Sequence, residues 1–522
     1  MTYEEALCSA DAKRWKEAIH QEITAHQRNE TWFNSPRPDN KKIISCKWIF
    51  KRKVTPGEPS RYKARLMARG FMQRYGVDYT ETYAPVVRYE SIRMLLAMAA
   101  AENLDMFQFD VKTAFLYGTL EEDIWIQLPE GPWSEGERIV KLRKSLYGLK
   151  QSPHCWNEKF DRVLSKYNLQ RSKGDDCIYV GRVGNEKLYL ALYVDDGLLL
   201  CKSTEVLLKF TQQLDAEFDI KVCKPSYFVG IEIDRNQAAG TIEIHQATYV
   251  RRVIERFKME EAKGNSIPVD PNVKLSRRMS PSNDEERKSM LKVPYSELIG
   301  SLQFLANVTR FDIAYGVNLL SRYLQDPGPE HWKAAKRVLK YLKETSHEGI
   351  LYNGTTQKLT CVCFSDADFA GDEDERRSTS GYIATINGAP VAWASRRQRI
   401  VTLSTAEAEL VAASQASQEI EWLRQMLSTL TGVQEKEIDP IKLNLDNQAA
   451  IPLSANPVLH QRTKHVNIKY KYICKVAESN KITVKYCPTE DQLADLLTKG
   501  LAKPRFNKLK ELTMYPRSQW EC

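Results

Sequence analysis

Residues 188–202 read LYLALYVDDGLLLCK. Residues 188–194 are all apolar or aromatic, the mark of a strand buried on both faces. Two adjacent carboxylates follow, Asp195 and Asp196, then Gly197 and a second apolar run that ends at Cys201. The pattern predicts a tight hairpin in which Gly197 supplies a positive φ. A plain surface turn needs one Asp, and it does not need Tyr193-Val194 ahead of it. Two like charges at the tip of a buried hairpin repel each other and resist desolvation unless a cation neutralises them. Mg²⁺ suits such a place, because it takes hard oxygen ligands from one or two carboxylates and from phosphates.

A further carboxylate stands upstream. Residues 106–111 form an apolar strand carrying Asp110 near its end, and the chain turns over at Ala114-Phe115. Read alone, Asp110 is also a plausible helix N-cap. Beside the hairpin it makes three carboxylates around two metal ions, the arrangement for in-line phosphoryl transfer.

The chain has 522 residues, enough for about three domains. Its formal net charge of +9 points to an acidic partner such as nucleic acid. The charge is concentrated. Between residues 41 and 74 Lys and Arg recur against a lone acid, Glu58, with Trp48, Phe50, Tyr62, Phe71 and Tyr75 interleaved. That mixture suits a groove that tracks phosphates and stacks bases, and it also fits a solvated charged face. Its alternation, broken at Pro56-Gly57, predicts a two-stranded basic ribbon. The eleven cysteines are scattered without a CxxC, which excludes the usual zinc pairings and predicts reduced thiols in an intracellular protein. No leader pattern opens the chain, and no apolar run approaches the ~20 residues of a membrane span.

Residues 1–35 read as a helical, amphipathic lead-in, and 264–294 as a polar linker. Helices are expected at 91–101, from Ser152-Pro153 onward, at 204–219, and at 294–309, 312–324 and 330–344; a strand is expected at 227–233. The last third alternates strands and helices and carries four acids: Asp366 on a strand, Glu409 in a long helix capped at Ser404 or Thr405, Asp446 after a strand, and Asp495 in a helix over 491–497. An Asp-Glu-Asp-Asp set on mixed elements again suits two metal ions and a phosphodiester.

Together these stretches resemble the Pol polyprotein of copia-type LTR retrotransposons, in its reverse transcriptase and ribonuclease H portion. The resemblance runs over about residues 31–501. It is carried by Cys46-Lys47-Trp48, Tyr62-Lys63-Ala64-Arg65-Leu66, Asp110-Val111-Lys112-Thr113-Ala114-Phe115, Tyr147-Gly148-Leu149-Lys150-Gln151-Ser152-Pro153 and Tyr193-Val194-Asp195-Asp196. Further on it is carried by Gly300-Ser301-Leu302, Ser365-Asp366-Ala367-Asp368, Ala406-Glu407-Ala408-Glu409, Asp446-Asn447-Gln448, Arg462-Thr463-Lys464-His465 and Ala494-Asp495-Leu496-Leu497-Thr498-Lys499. Phe311 stands where the family usually has Pro and Phe369 where it usually has Trp, and Tyr147 takes the place of a retroviral Gln; none of these changes a carboxylate.

The resemblance implies an α+β and α/β multidomain chain: a right-hand polymerase of fingers, palm and thumb, followed by a ribonuclease H-like mixed-sheet domain. The implied boundaries are 1–30 for the lead-in, 31–263 for fingers and palm, 264–355 for linker and helical thumb or connection, 356–501 for the ribonuclease, and 502–522 for a tail. It implies RNA-directed DNA synthesis with hybrid cleavage, using two Mg²⁺ ions per site, with Mn²⁺ an alternative. The polymerase metals would be held by Asp110, Val111 and Asp195, with Asp196 beside the primer end. Lys63 and Arg65 would meet the triphosphate, Phe115 would exclude a ribose 2′-hydroxyl, and Lys150 and Gly230 would be further substrate contacts. Asp366, Glu409, Asp446 and Asp495 would hold the ribonuclease metals, with His465 assisting proton transfer or product release. The implied partners are an RNA template, a DNA or tRNA primer, the RNA–DNA hybrid, deoxynucleoside triphosphates, and upstream protease and integrase parts of one polyprotein. The expected location is a cytoplasmic virus-like particle, with a later nuclear role. A nuclease alone accounts for the last third but not for Asp110 with residues 193–196. A decayed element that binds nucleic acid without catalysis is opposed by the presence of all seven carboxylates, and a host-adopted structural or interaction protein is the other rival reading.

Overall fold

The computed structural model describes residues 1–522 except 40, 54–59, 134–137, 355–358, 448–463 and 517–522. The Pro56-Gly57 turn, Gln448 and the Arg462-Thr463 pair lie outside the described residues. Four sheets, each backed by helices, organise the chain into a mixed α/β architecture.

The first sheet orders its strands Trp32–Asn34, Ile139–Leu142, Trp125–Gln127, Ile43–Lys53, Arg61–Ala68. Its last two strands are the expected basic ribbon, antiparallel with Lys51 opposite Lys63 and Ile49 opposite Arg65. Period-2 alternation puts Ala64, Leu66 and Ala68 into the core and leaves Arg61, Lys63 and Arg65 exposed. The helices Tyr3–Leu7 and Ala12–Arg28 are no loose lead-in. Ala6, Trp15, Ala18 and Ile19 share one core with Ile44, Trp48 and Leu66.

The second sheet is antiparallel, in the order Ile220–Cys223, Asp105–Val111, Asp196–Cys201, Glu186–Tyr193, Ile178–Val183, Leu169–Arg171. The helices Ser152–Lys166 and Thr204–Glu217 cover one face through Trp156, Phe160, Leu207 and Phe210. The third sheet joins the hairpin Tyr227–Phe228 and Ile231–Asn236 to Thr241–His245, Glu348–Asn353 and Tyr515–Pro516. The segment expected as one strand at 227–233 is therefore a hairpin. Its two loop residues, Val229 at φ 48° and Gly230 at φ 85°, both take the left-handed conformation of a primed turn.

The fourth sheet runs Ala389–Arg397, Thr379–Ile386, Cys361–Asp368, Ile441–Leu445, Ile482–Tyr486, and its last two strands are parallel to Cys361–Asp368. The long helix Thr405–Thr431, N-capped by Ser404, lies on it.

Three further expectations change. Residues 264–294 are not an open linker: they contain the helix Asp284–Met290, and Ile267, Leu275 and Met290 are buried. The helix expected over 491–497 is two short 3₁₀ turns, Thr489–Asp491 and Leu493–Leu497. The expected tail packs inward: the helix Lys503–Glu511 buries Phe506 and Leu509, and Lys510 pairs with Glu348 at 2.7 Å. In the first and third cases a few apolar side chains among many polar ones find a place in the core.

One contiguous core runs from the helix Tyr89–Ala101 through Leu298 and Leu302 to Ile383, Leu410 and Leu427. Arg93 pins this junction. Its fully buried guanidinium donates to the carbonyls of Val391 at 2.7 Å and of Asn307 and Val308 at 2.8 Å, over the Trp393 ring at 3.8 Å. A buried cation is tolerated only when its donors are met in this way. The helix Thr405–Thr431 also docks on the second sheet: Tyr189 Oη donates to the Leu430 carbonyl and Trp422 Nε1 to the Gly174 carbonyl.

Two candidate acidic centres

The hairpin at 193–197 forms, with a turn unlike the expected one. Tyr193 pairs with Asp196, so Val194 and Asp195 are the loop residues. The positive φ falls on Val194, at 56°, and not on Gly197. A β-branched residue there is strained and persists only where its surroundings over-determine it. Two hydrogen bonds do so: Trp156 Nε1 donates to the Val194 carbonyl at 2.6 Å, and the Val111 N–H donates to the Asp195 carbonyl at 2.9 Å. Gly197 serves another purpose. A Cβ at that position would stand 2.0 Å from Phe109 Cζ on the neighbouring strand.

Strand register sets Asp196 directly opposite Asp110. Burial, and next among the raising causes the Asp110 carboxylate, push the Asp195 carboxyl above its ordinary value; its own backbone N–H, Arg65 and Lys63 oppose this. Asp110, Asp195, Lys63 and Arg65 therefore share one electrostatic neighbourhood. The Arg65 guanidinium lies 4.6 Å from the centroid of the Tyr147 ring, and Phe115, half-buried, meets the same ring edge-on at 5.0 Å. Sequence reasoning quoted Tyr147 in a motif but gave it no role at the site. The structure makes it the link between the basic strand and Phe115. Lys150 bonds the Tyr79 hydroxyl at 2.9 Å, and a Cβ on Gly230 would meet Phe304 at 2.5 Å, so neither is drawn against these acids by a described contact.

The second centre is on the fourth sheet. Asp366 comes from the strand Cys361–Asp368, Glu409 from the long helix, and Asp446 from just past the strand Ile441–Leu445. One carboxylate oxygen from each lies within 4.8 Å of the others. Asp366 is 2 % exposed and Glu409 5 %. Burial first, then Asp366 and Asp446, push the Glu409 carboxyl up to about 9. Burial, then Asp366, also raises Asp446. Glu409 Oε2 is buried and has no hydrogen-bond partner among the described residues. A buried, mutually repelling set of hard oxygens with an orphaned acceptor fits a divalent cation.

The fourth acid stands apart from this triad. Asp495 is wholly buried, and Lys499 Nζ meets its Oδ1 at 2.8 Å while Arg505 pairs with its other oxygen. Burial, then Asp366, raises Asp495 to about 7 against the pull of Lys499 and Arg505. Lys499 also reaches Asp366 at 3.5 Å, and Thr498 Oγ1 donates to Asp366. Lys499 and Thr498 stood in a motif quoted from the sequence, yet only its Asp was taken as functional. Arg505 carried no sequence signal, because its role depends on the C-terminal helix folding back. His465 lies on the helix Lys464–Glu478, and its side chain is outside the described residues.

Comparison with known proteins gives consistent matches. A family model described as reverse transcriptase (RNA-dependent DNA polymerase) matches residues 29–271. The Retrovirus-related Pol polyprotein from transposon TNT 1-94 of Nicotiana tabacum is 39% identical over 97% of this chain and 38% of its own length. The putative transposon Ty5-1 protein of Saccharomyces cerevisiae is 31% identical over 60% of this chain and all of its own. The chain thus spans well under half of the plant relative. A solved ribonuclease H1 in complex with an RNA/DNA hybrid is similar over 27% of this chain and 94% of its own, at 14% identity and a TM-score of 0.21, too loose a superposition to bear on function.

Proposed function

Because the chain belongs to the transposon-encoded reverse transcriptase (RNA-dependent DNA polymerase) family, we propose that it copies RNA into DNA and cleaves the RNA of the resulting hybrid. The observation that carries this reading is the presence of two separate acidic centres on two sheets. The parts at 31–263, 264–355 and 356–501 act as fingers and palm, thumb or connection, and ribonuclease.

In the polymerase, Asp110 and Asp195, with the Val111 backbone, hold the ions, and Asp196 stands beside the primer end. Lys63 and Arg65 bind the triphosphate, for which a guanidinium offers paired donors and an ammonium a point charge. Phe115 crowds the ribose 2′ position, and Lys150 and Gly230 line the path of the template-primer. In the ribonuclease, Asp366, Glu409, Asp446 and Asp495 hold the ions, and Lys499, paired with Asp495 and 3.5 Å from Asp366, stands beside them. His465 moves a proton or releases product. Two Mg²⁺ or Mn²⁺ ions per site supply, when bound, Lewis-acid activation of the attacking oxygen and charge neutralisation at the phosphate.

The partners that follow are an RNA template, a DNA or tRNA primer, the hybrid, deoxynucleoside triphosphates and other parts of one polyprotein. No described helix is long and apolar enough to cross a membrane, and we place the activity in a cytoplasmic particle with a later nuclear role. The test is primer extension on an RNA template together with degradation of a labelled hybrid, each with Mg²⁺ and with chelator. Absence of both activities from folded protein would reject the reading.

A further inference from the structure

The strand Arg61–Ala68 carries Lys63 and Arg65 on its exposed face, and it is the outermost strand of its sheet. Its inner edge pairs with Ile43–Lys53. No described strand pairs with its outer edge, and the helix Ala12–Arg28 packs against it instead. On that helix Glu22 is 7 % exposed, and its Oε1 accepts the Leu66 N–H at 3.0 Å. Leu66 is the residue after Arg65 and is itself fully buried. One turn along the helix, His26 is 1 % exposed and places Nε2 3.5 Å from the same oxygen, while its Nδ1 bonds Thr31 Oγ1 at 3.1 Å. On the other flank of the cationic pair, the Trp15 ring meets Tyr62 edge-on at 4.6 Å, and Arg14 stands 5.4 Å from the Tyr62 centroid.

The helix therefore grips the strand at 62 and at 66, on either side of Lys63 and Arg65. Edge strands with open N–H groups can slide or fray, and a buried carboxylate accepting a backbone N–H makes a strong, directional anchor. The helix lies outside the residues that the family model matches, which begin at 29. We propose that Glu22 is a positioning residue of the polymerase: by holding the Leu66 amide it fixes the height and register of Lys63 and Arg65 relative to Asp195. The inference rests on the reading of Lys63 and Arg65 as triphosphate contacts. Glu22 itself touches no substrate, and removing its carboxylate weakens nucleotide binding without altering the acids.

The test uses the full chain with Glu22→Leu, Glu22→Asp and Glu22→Gln. Leucine removes the acceptor, aspartate keeps the charge but falls short by one methylene, and glutamine keeps an acceptor oxygen. For DNA synthesis on primed RNA, the expected KM for the nucleotide rises about tenfold or more in Glu22→Leu and severalfold in Glu22→Asp, with a smaller change in kcat. Glu22→Gln recovers most of the loss, and hybrid cleavage holds in all three. Once Arg65→Ala is present, Glu22→Leu should add little further. Hydrogen exchange over 61–68 gives a reading independent of activity, and exchange there should quicken in Glu22→Leu and Glu22→Asp. Were Glu22→Leu to misfold, with cleavage also lost, Glu22→Asp decides. Unchanged nucleotide KM and unchanged exchange in Glu22→Asp, or equal losses of synthesis and cleavage in every variant, would overturn the proposal. A parent protein that makes no DNA rejects the proposed function instead, and unchanged exchange over 61–68 in its Glu22→Leu and Glu22→Asp variants rejects the anchor as well.

Discussion

Replacing Gly197 with alanine is a sharp test of how the hairpin at 193–197 is built. The added Cβ would lie 2.0, 2.3 and 2.7 Å from three atoms of the Phe109 ring. Carbon atoms rest at about 3.5–4.0 Å, so the ring or the strand must yield by about 1.5 Å. Phe109 has little room to do so, being fully buried and stacked on Phe160 at 6.2 Å. Overpacking of this kind costs about 1–3 kcal/mol, and here the strand that must move also carries Asp110. If 1.4 kcal/mol of that cost falls on the alignment of Asp110 with Asp195, DNA synthesis drops about tenfold. The assay is single-turnover nucleotide addition beside hybrid cleavage and chemical unfolding on one preparation. We expect synthesis to fall by one to two orders of magnitude, on the scale of that cost, while cleavage persists, and Phe109→Leu in the same chain to restore part of the loss. A Gly197→Ala protein with normal synthesis and stability, or one that Phe109→Leu does not help, would refute the close approach.

Other predictions follow from the same geometry. Glu409 has its carboxyl raised from 4.5 to about 9, so the folded, metal-free protein binds a proton that the unfolded chain has released. That contribution is fully present below about pH 4.5 and is lost as pH rises toward 9, with Asp446 and Asp495 adding in the same direction. In chelator the unfolding temperature should therefore fall from about pH 6 to about pH 8.5. Glu409→Gln should flatten that fall and abolish hybrid cleavage, and a Gln variant with the parent's full pH slope would remove Glu409 as its source. Phe115→Val should raise the ratio of ribonucleotide to deoxynucleotide incorporation by about an order of magnitude, about 1.4 kcal/mol of discrimination. Equal loss with both substrates would mean that Phe115 only packs against Tyr147.

The hairpin was legible because its signals are local: an apolar run, two carboxylates and a Gly. The reason for the Gly was not. Turn statistics assign positive φ to Gly, whereas here Val194 takes it under tertiary bonds from Trp156 and Val111, and Gly197 makes room for Phe109. The four acids assigned to the ribonuclease were each visible, on a strand, in a long helix, just after a strand and in an expected helix. Only folding shows that three converge while Asp495 is held by Lys499 and Arg505, since Arg505 arrives on a helix that no local pattern ties to the site. Residues 264–294 misled by composition: polar runs can be held by sparse anchors such as Ile267 and Leu275. The N-terminal helix read as amphipathic, and what its apolar face covers could not be known before the edge strand was placed.

The central claim is that two independent acidic centres serve two reactions. Asp195→Asn removes the charge of a proposed metal ligand at nearly constant volume, far in the chain from Asp366, Glu409 and Asp446. The direct measurement is RNA-templated DNA synthesis and hybrid cleavage by one preparation of Asp195→Asn beside the parent. Synthesis should collapse by several orders of magnitude while cleavage stays within about twofold of the parent. Retained synthesis, or loss of both activities in a protein that still folds, would contradict the account.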